Sequence, residues 1–268
     1  MFNDVLRGPV ANVLVLHYIK PEETNFEGWF SFAENWLLKH GLTPTKMSGK
    51  GDSNITFSRG KKTLIKENYQ RMREEGLTIL ALPPDEKVST EAFDFIMASH
   101  LDMDKNYKGT ACTFCWGDQV VPWGSTYIKT LVKDLLNFIK PAYGYAFQRE
   151  FKKGPIFYPA GIESGKISDQ EGAELRNWRV TGRSPDDDPD YQPHMIRDVY
   201  PLNFLSPQHL KAPVGDQTLE QWIKSDSTRG TLEEILPDFW CWSVDPQNIE
   251  PVKESLKPHN LLIAHMTF

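Results

Sequence analysis

The sequence predicts an α+β (mixed α/β) fold, on three observations. Short apolar runs stand between turn residues, helical periodicities separate them, and a proline-rich stretch interrupts both in the second half. The expected architecture is a central mixed sheet with flanking helices and a long Pro-rich irregular segment. At 268 residues the chain can bury a large core. One domain over 1–268 is expected, with two α/β halves, 1–150 and 151–268, as the alternative.

Asn12 to Ile19 is apolar nearly throughout, which predicts a central strand. A helix follows from Phe26 to His40, with Trp29, Ala33, Trp36 and Leu37 on one face and Gly41 as its stop. Lys46 to Phe57 reads as a hairpin with Ile55 and Phe57 in its second strand. Lys62 to Glu75 reads as one helix closed by Gly76. Leu77 to Leu82 is a buried strand ended by Pro83-Pro84. Thr90 opens a short helix to Ser99, and Gly109 to Trp116 is a strand. From Ser125, Ile128, Leu131, Val132, Leu135 and Ile139 recur at helical steps until Pro141. In the strand Ala142 to Phe147, Tyr143, Tyr145 and Phe147 share one face.

Gly154 to Pro213 holds prolines throughout, which remove amide donors and break long elements. It keeps Trp178, Tyr191, Tyr200 and Phe204, so packed irregular loops are expected rather than a flexible linker, with one helix near Asp169 to Trp178. Regular structure then returns: a helix over Thr218 to Lys224, an aromatic strand Phe239 to Val244, a helix from Pro246 to Leu256, and a closing strand Leu261 to His265.

Composition points to recognition. Eight Trp, nine Tyr and fifteen Phe supply the residue types that anchor protein interfaces, and a net charge of -6 suits a basic partner. No apolar run approaches the ~20 residues of a membrane helix. Met1 to Val10 contains Asp4 and Arg7 and lacks an apolar signal core, so a cytoplasmic location without membrane contact is expected. Three cysteines are too few for a zinc site of four thiolates. Cys112 and Cys115 are spaced as C-x-x-C, but in a strand that runs into a turn rather than one that opens a helix. Small apolar packing is the expectation for them.

The densest charge cluster is Asp186, Asp187, Asp188 and Asp190. It lacks the Gly and Glu of a calcium loop, with Arg197 at the twelfth position. A solvated loop, a partner-binding patch and a divalent-cation site are its three readings. With Tyr191 and Trp178 it forms the expected partner-binding set. His194 and Asp198 are a candidate general-base pair for a hydrolase, with no nucleophile motif beside them. Arg197 with Asp198 reads alternatively as an ion pair that holds a loop to the core. His17, in an apolar strand, is expected to be a satisfied core histidine. Gly60-Lys61-Lys62-Thr63 lacks the upstream glycine of a phosphate loop. Lys61, Lys62, Lys66, Arg71 and Arg73 make a solvated helix face better than a nucleic-acid surface on an acidic chain. Catalytic residues, metal ligands and cofactors are therefore expected to be none.

Two Trp-Gly pairs stand close together, in Cys115-Trp116-Gly117-Asp118 and Pro122-Trp123-Gly124-Ser125, with a long helix after the second. In these features and in its α/β layout the chain resembles the bacterial immunity protein 52 family. That resemblance implies a cytoplasmic, non-enzymatic protein that binds and neutralises a cognate toxin effector, a nuclease delivered by type VI secretion. It implies no catalytic residues and no direct contact with nucleic acid.

Overall fold

The structure is a computed structural model and describes residues 10–49, 55–81, 97–103, 110–163, 167–182 and 192–266. In chain order these residues form β1 (Val10–His17), α1 (Phe26–Lys39), β2 (Lys46–Ser48), β3 (Ile55–Thr56), α2 (Phe57–Lys66) and α3 (Gln70–Glu75). Next come β4 (Leu77–Leu80), β5 (Met97–Asp102), β6 (Ala111–Gly117), α4 (Ser125–Leu135), β7 (Tyr143–Glu150) and α5 (Asp169–Asn177). The remaining elements are β8 (Leu202–Leu205), α6 (Pro207–Leu210), β9 (Pro213–Val214), β10 (Gln217–Thr218), α7 (Leu219–Lys224), β11 (Thr231–Leu236), β12 (Phe239–Ser243) and α8 (Ile249–Leu256).

The class is α+β. A ten-stranded sheet runs in the order β11-β12-β8-β7-β1-β6-β5-β4-β2-β3, and β9 pairs with β10 in a separate ribbon. Every pairing of the large sheet is antiparallel, where a mixed sheet was expected. The sheet draws on both 1–150 and 151–268, because β7 pairs with β8.

The pleat sorts the core into two layers. One face carries Leu14 and Leu16 of β1, Phe114 and Trp116 of β6, and Ile79 of β4, and packs against Trp29, Phe30 and Leu37 of α1 and Ile128, Leu131 and Leu135 of α4. The other face carries Val13 and Val15 of β1 with Tyr143, Tyr145 and Phe147 of β7. It packs against the C-terminal segments through Trp178, Ile196, Trp222 and Leu256.

Local chemistry sets several boundaries. Asn25 caps α1, its side chain accepting from the Gly28 amide at 2.9 Å. The single helix expected over Lys62 to Glu75 is broken, because Asn68 and Tyr69 turn left-handed at φ 48° and 60°. That break lets Tyr69 drop into the core beside Phe30. Phe57 starts α2 rather than sitting in the hairpin strand. Met97 to Ser99 belong to β5 rather than to the end of a helix. The closing strand expected at Leu261 to His265 is one parallel bridge, Ile196 to Leu262, followed by a 3-10 turn at Ile263–His265.

The Trp-Gly region is structural glue. Trp116 is fully buried and its indole donates to the Val121 carbonyl at 3.0 Å. Asp118 Oδ1 accepts from Asn12, Gln148 and the Trp123 amide at 3.1, 3.1 and 2.7 Å. These bonds fix the turn that launches α4 from the end of the central strands.

Candidate functional site

On the C-terminal face of the sheet, β2, β4, β5 and β6 carry polar residues where the other half carries aromatics. Register aligns Ser48 with Thr78, Thr78 with His100, and His100 with Thr113. One hydrogen-bonded hydroxyl–imidazole pair lies within this row, between Thr78 and His100 Nδ1. The next row along the strands brings Asp102 opposite Ala111, and Ala111 opposite His17. Together the two rows floor a cleft of about 340 Å³ whose opposite wall is the segment from Ile156 to Ile162. A second pocket of about 200 Å³ shares Ser48, Thr78, His100 and Asp102 and reaches Glu75 and Gly76. The result is a trough whose polar floor includes Asp102 and faces an apolar wall, with Glu75, ion-paired to Arg71 at 3.1 Å, beside its second pocket.

The wall is anchored from behind. The Pro159 carbonyl accepts from the Trp178 indole at 2.7 Å and from Arg197 Nη1 at 3.3 Å. Trp178 has 0% of its surface exposed, and a Cβ at Gly182 would lie 2.0 Å from its ring, so only glycine lets the chain pass there. Arg197 is also buried. Its Nη1 donates to the Tyr145 hydroxyl at 2.7 Å, and its guanidinium lies over the Tyr158 and Trp178 rings at 4.0 and 5.1 Å. Burial opposes that charge, but the oxygens of Tyr145, Tyr200 and Tyr158 outweigh it and hold the group above the ordinary arginine pKa. Tyr145 in turn meets His17 Nε2 at 3.2 Å, which ties the cage to the trough floor.

The residues expected to act divide clearly. Asp186, Asp187, Asp188, Asp190 and Tyr191 lie outside the described residues. Trp178 is not presented to a partner in this conformation, because its ring is enclosed by the core and holds the trough wall. His17 is buried and satisfied by Tyr145 as expected, yet its ring also borders the trough. Arg197 and Asp198 do not pair with each other. Asp198 Oδ2 binds Lys253 at 2.9 Å, and its Oδ1 meets His265 Nε2 at 3.3 Å and the Val199 amide at 2.8 Å. Burial pushes the Asp198 pKa up, but the His265 hydrogen bond and Lys253 override it and hold the carboxyl below the usual range. No hydrogen bond or ion pair among the described residues joins His194 to Asp198, so the general-base pair does not assemble here. Sequence reasoning missed Ser48, Thr78, His100, Asp102 and Thr113 as a group, since only strand register brings them together.

Among the described residues no group of three His, Cys, Asp or Glu could hold a metal ion, and no helix is long and apolar enough to cross a membrane. The molecule is thus an α+β protein with one dominant antiparallel sheet, part of which floors a polar trough among the described residues. No protein-family model and no curated protein matches the chain. A solved structure described as the Pseudomonas aeruginosa T6SS protein PA0821 is similar in fold, with a TM-score of 0.56 over 95% of this chain and 73% of that one. The two are 12% identical, so the likeness is one of fold.

Proposed function

We propose that this chain is a cytoplasmic immunity protein that binds and neutralises a cognate toxin effector, a nuclease delivered by type VI secretion. The observation that carries the reading is the fold shared, over nearly the whole chain, with a protein described as belonging to that secretion system. The resemblance of the Trp-Gly region to immunity protein 52 points the same way. Charge adds physical support. A nuclease is basic where it engages phosphates, and a chain of net charge -6 would meet it with electrostatic steering. The inhibitor acts by covering surface rather than by turnover. The His194 and Asp198 alternative lacks support, since Asp198 is committed to Lys253 and His265.

The test is co-expression with the product of the neighbouring upstream gene. Growth rescue together with co-purification supports the reading. A toxic neighbour that this chain neither rescues nor binds would overturn it.

A further inference from the structure

We infer that the toxin adds an extended segment bearing Lys or Arg to the open edge of the large sheet at β11; this rests on the toxin-binding reading above. β3 and β11 end the sheet. β3 is two residues long, whereas β11 runs for six, about 20 Å at roughly 3.3 Å per residue. Thr231, Glu233, Glu234 and Leu236 of β11 are exposed, and the chain around them is described without a break from 192 to 266. Among the described residues no strand pairs with the outer side of β11.

The ladder fixes which backbone groups face outward. The Val244 amide donates to the Pro201 carbonyl at 3.0 Å, on the β8 side of β12. Bonding direction alternates along an antiparallel strand, so Ser243 and Cys241 bond toward β11. Their register partners are Thr231 and Glu233. Leu232 and Glu234 therefore turn amide and carbonyl outward, as an added strand requires. The edge is also shaped in advance. The Trp242 indole donates to the Arg229 carbonyl at 2.7 Å, and a Cβ at Gly230 would lie 2.2 Å from the Ser243 carbonyl oxygen, so glycine alone lets β11 start there. Ile235 is buried beneath the strand, and Lys129 of α4 holds Glu233 at 2.6 Å. Little ordering is left for binding to impose.

Charge selects the occupant. The charged residues from Thr231 to Val244 are Glu233, Glu234 and Asp238. Glu233 is taken by Lys129, while Glu234 and Asp238 stay exposed. A second copy pairing at this edge would set these carboxylates against their own kind, which opposes self-association. A strand with Lys or Arg opposite Glu234 gains a cross-strand ion pair instead. An apolar neighbour in that strand would cover Leu236, which is 41% exposed. A nuclease that engages phosphates supplies such cations.

Hydrogen exchange of the full chain, read at single amides by mass spectrometry, tests this with and without the co-expressed toxin. The Leu232 and Glu234 amides should exchange fast in the free chain and slow by about tenfold or more in the complex. Glu234→Pro deletes an outward N–H without touching the ladder to β12, and Glu234→Gln deletes only the charge. Glu234→Gln should weaken toxin binding by about threefold and flatten its salt dependence. Glu234→Pro should weaken it by about tenfold or more. Circular dichroism checks both folds, and if Glu234→Pro unfolds, the exchange comparison on the wild-type chain decides. If the toxin binds but leaves both amides fast, or if folded Glu234→Pro binds as wild type does, the edge is not the contact and the immunity reading stands. A free chain that sediments as a dimer with the same amides protected would give the edge to a second copy and overturn the proposal. If the wild-type chain binds no toxin, the immunity reading falls, and the acetylated, amidated peptide Thr-Lys-Val-Arg-Val-Lys-Thr still judges the edge. Protection of both amides by this peptide, and not by its counterpart with Glu for Lys and Arg, would support a site for a basic strand; no protection by either would overturn it.

Discussion

Arg197 donates through Nη1 to the hydroxyl of Tyr145 at 2.7 Å, and among the described residues no carboxylate pairs with this buried guanidinium. Its charge is carried by ring faces and neutral oxygens: Tyr158, Trp178 and Tyr145 surround it, and the Pro159 carbonyl completes its bonds. The cage joins β7, the trough wall and the strand-like segment that bridges to Leu262. It is the pin through the second layer of the molecule.

Removing that pin should be costly. Arg197→Ala leaves a cavity and removes the bonds to the Tyr145 hydroxyl and the Pro159 carbonyl, and it should lower unfolding free energy by about 3–5 kcal/mol in urea titrations. Arg197→Lys keeps the charge but loses the planar fork and the ring stacking, so it should recover less than half of that loss. A lysine variant as stable as wild type would show that charge alone matters here.

Asp198 predicts an acid limb. Its folded pKa is depressed, so its contribution is full above the unfolded value of about 3.9 and is lost as pH falls through the lower folded value. Lys253 is shifted the other way: burial opposes its charge, but Asp198 and Glu250 raise its pKa. Its share is therefore full below about 10.4 and fades only in stronger base. Asp198→Asn should cost about 2–4 kcal/mol at neutral pH, because it leaves the largely buried Lys253 with only the exposed Glu250 as its carboxylate partner. Thermal melts against pH should show the two proteins converging below about pH 4.

The parts of this fold legible in the sequence are those with local periodicity. β1, α1, α4 and β7 carry unbroken apolar patterns, and the matching faces are buried as the spacing requires. β5 was hidden because its two faces are chemically unusual: Ser99 points to the apolar layer, while His100 and Asp102 point to the trough. β8 was masked by the prolines around it, and β11 is an edge strand with Glu233 and Glu234 exposed, so neither reads as buried. The trough itself depends on pairing between strands far apart in sequence. No local pattern in Ser48, Thr78, His100 or Thr113 announces that four strands will set them in one line.

The C-x-x-C pair behaves as packing. Residues three apart in a strand face opposite sides of the pleat, and Cys112 lies in the layer beneath α1 while Cys115 lies in the C-terminal layer. Cys112 Sγ accepts from the Trp29 indole at 3.2 Å. Burial pushes both thiols up to about 12, and Cys241 to about 11. A thiol reagent at pH 8 should therefore label none of the three in the native protein and all three after denaturation. Rapid labelling of either residue of the pair without unfolding would contradict this.

His209 gives the molecule a second, milder pH dependence. It is buried, stacks on Tyr143, and uses Nδ1 to accept from the Ser206 amide at the start of α6, while its Nε2 makes no well-formed hydrogen bond among the described residues. Burial, reinforced by the nearby charge of His194, pushes its pKa down to about 3. Between about pH 6.5 and 3 the unfolded chain then binds a proton that the folded chain refuses. Stability should fall toward acid by about 1.4 kcal/mol per pH unit from this residue. His194, whose pKa burial also lowers, adds to the same slope. His209→Gln can keep the capping contact, because glutamine at this position also accepts the cap amide. Urea midpoints measured from pH 7 to pH 4.5 should therefore show a shallower decline in His209→Gln than in wild type, whatever the variant's stability at neutral pH. Parallel slopes in the two proteins would mean that His209 is protonated in the folded state.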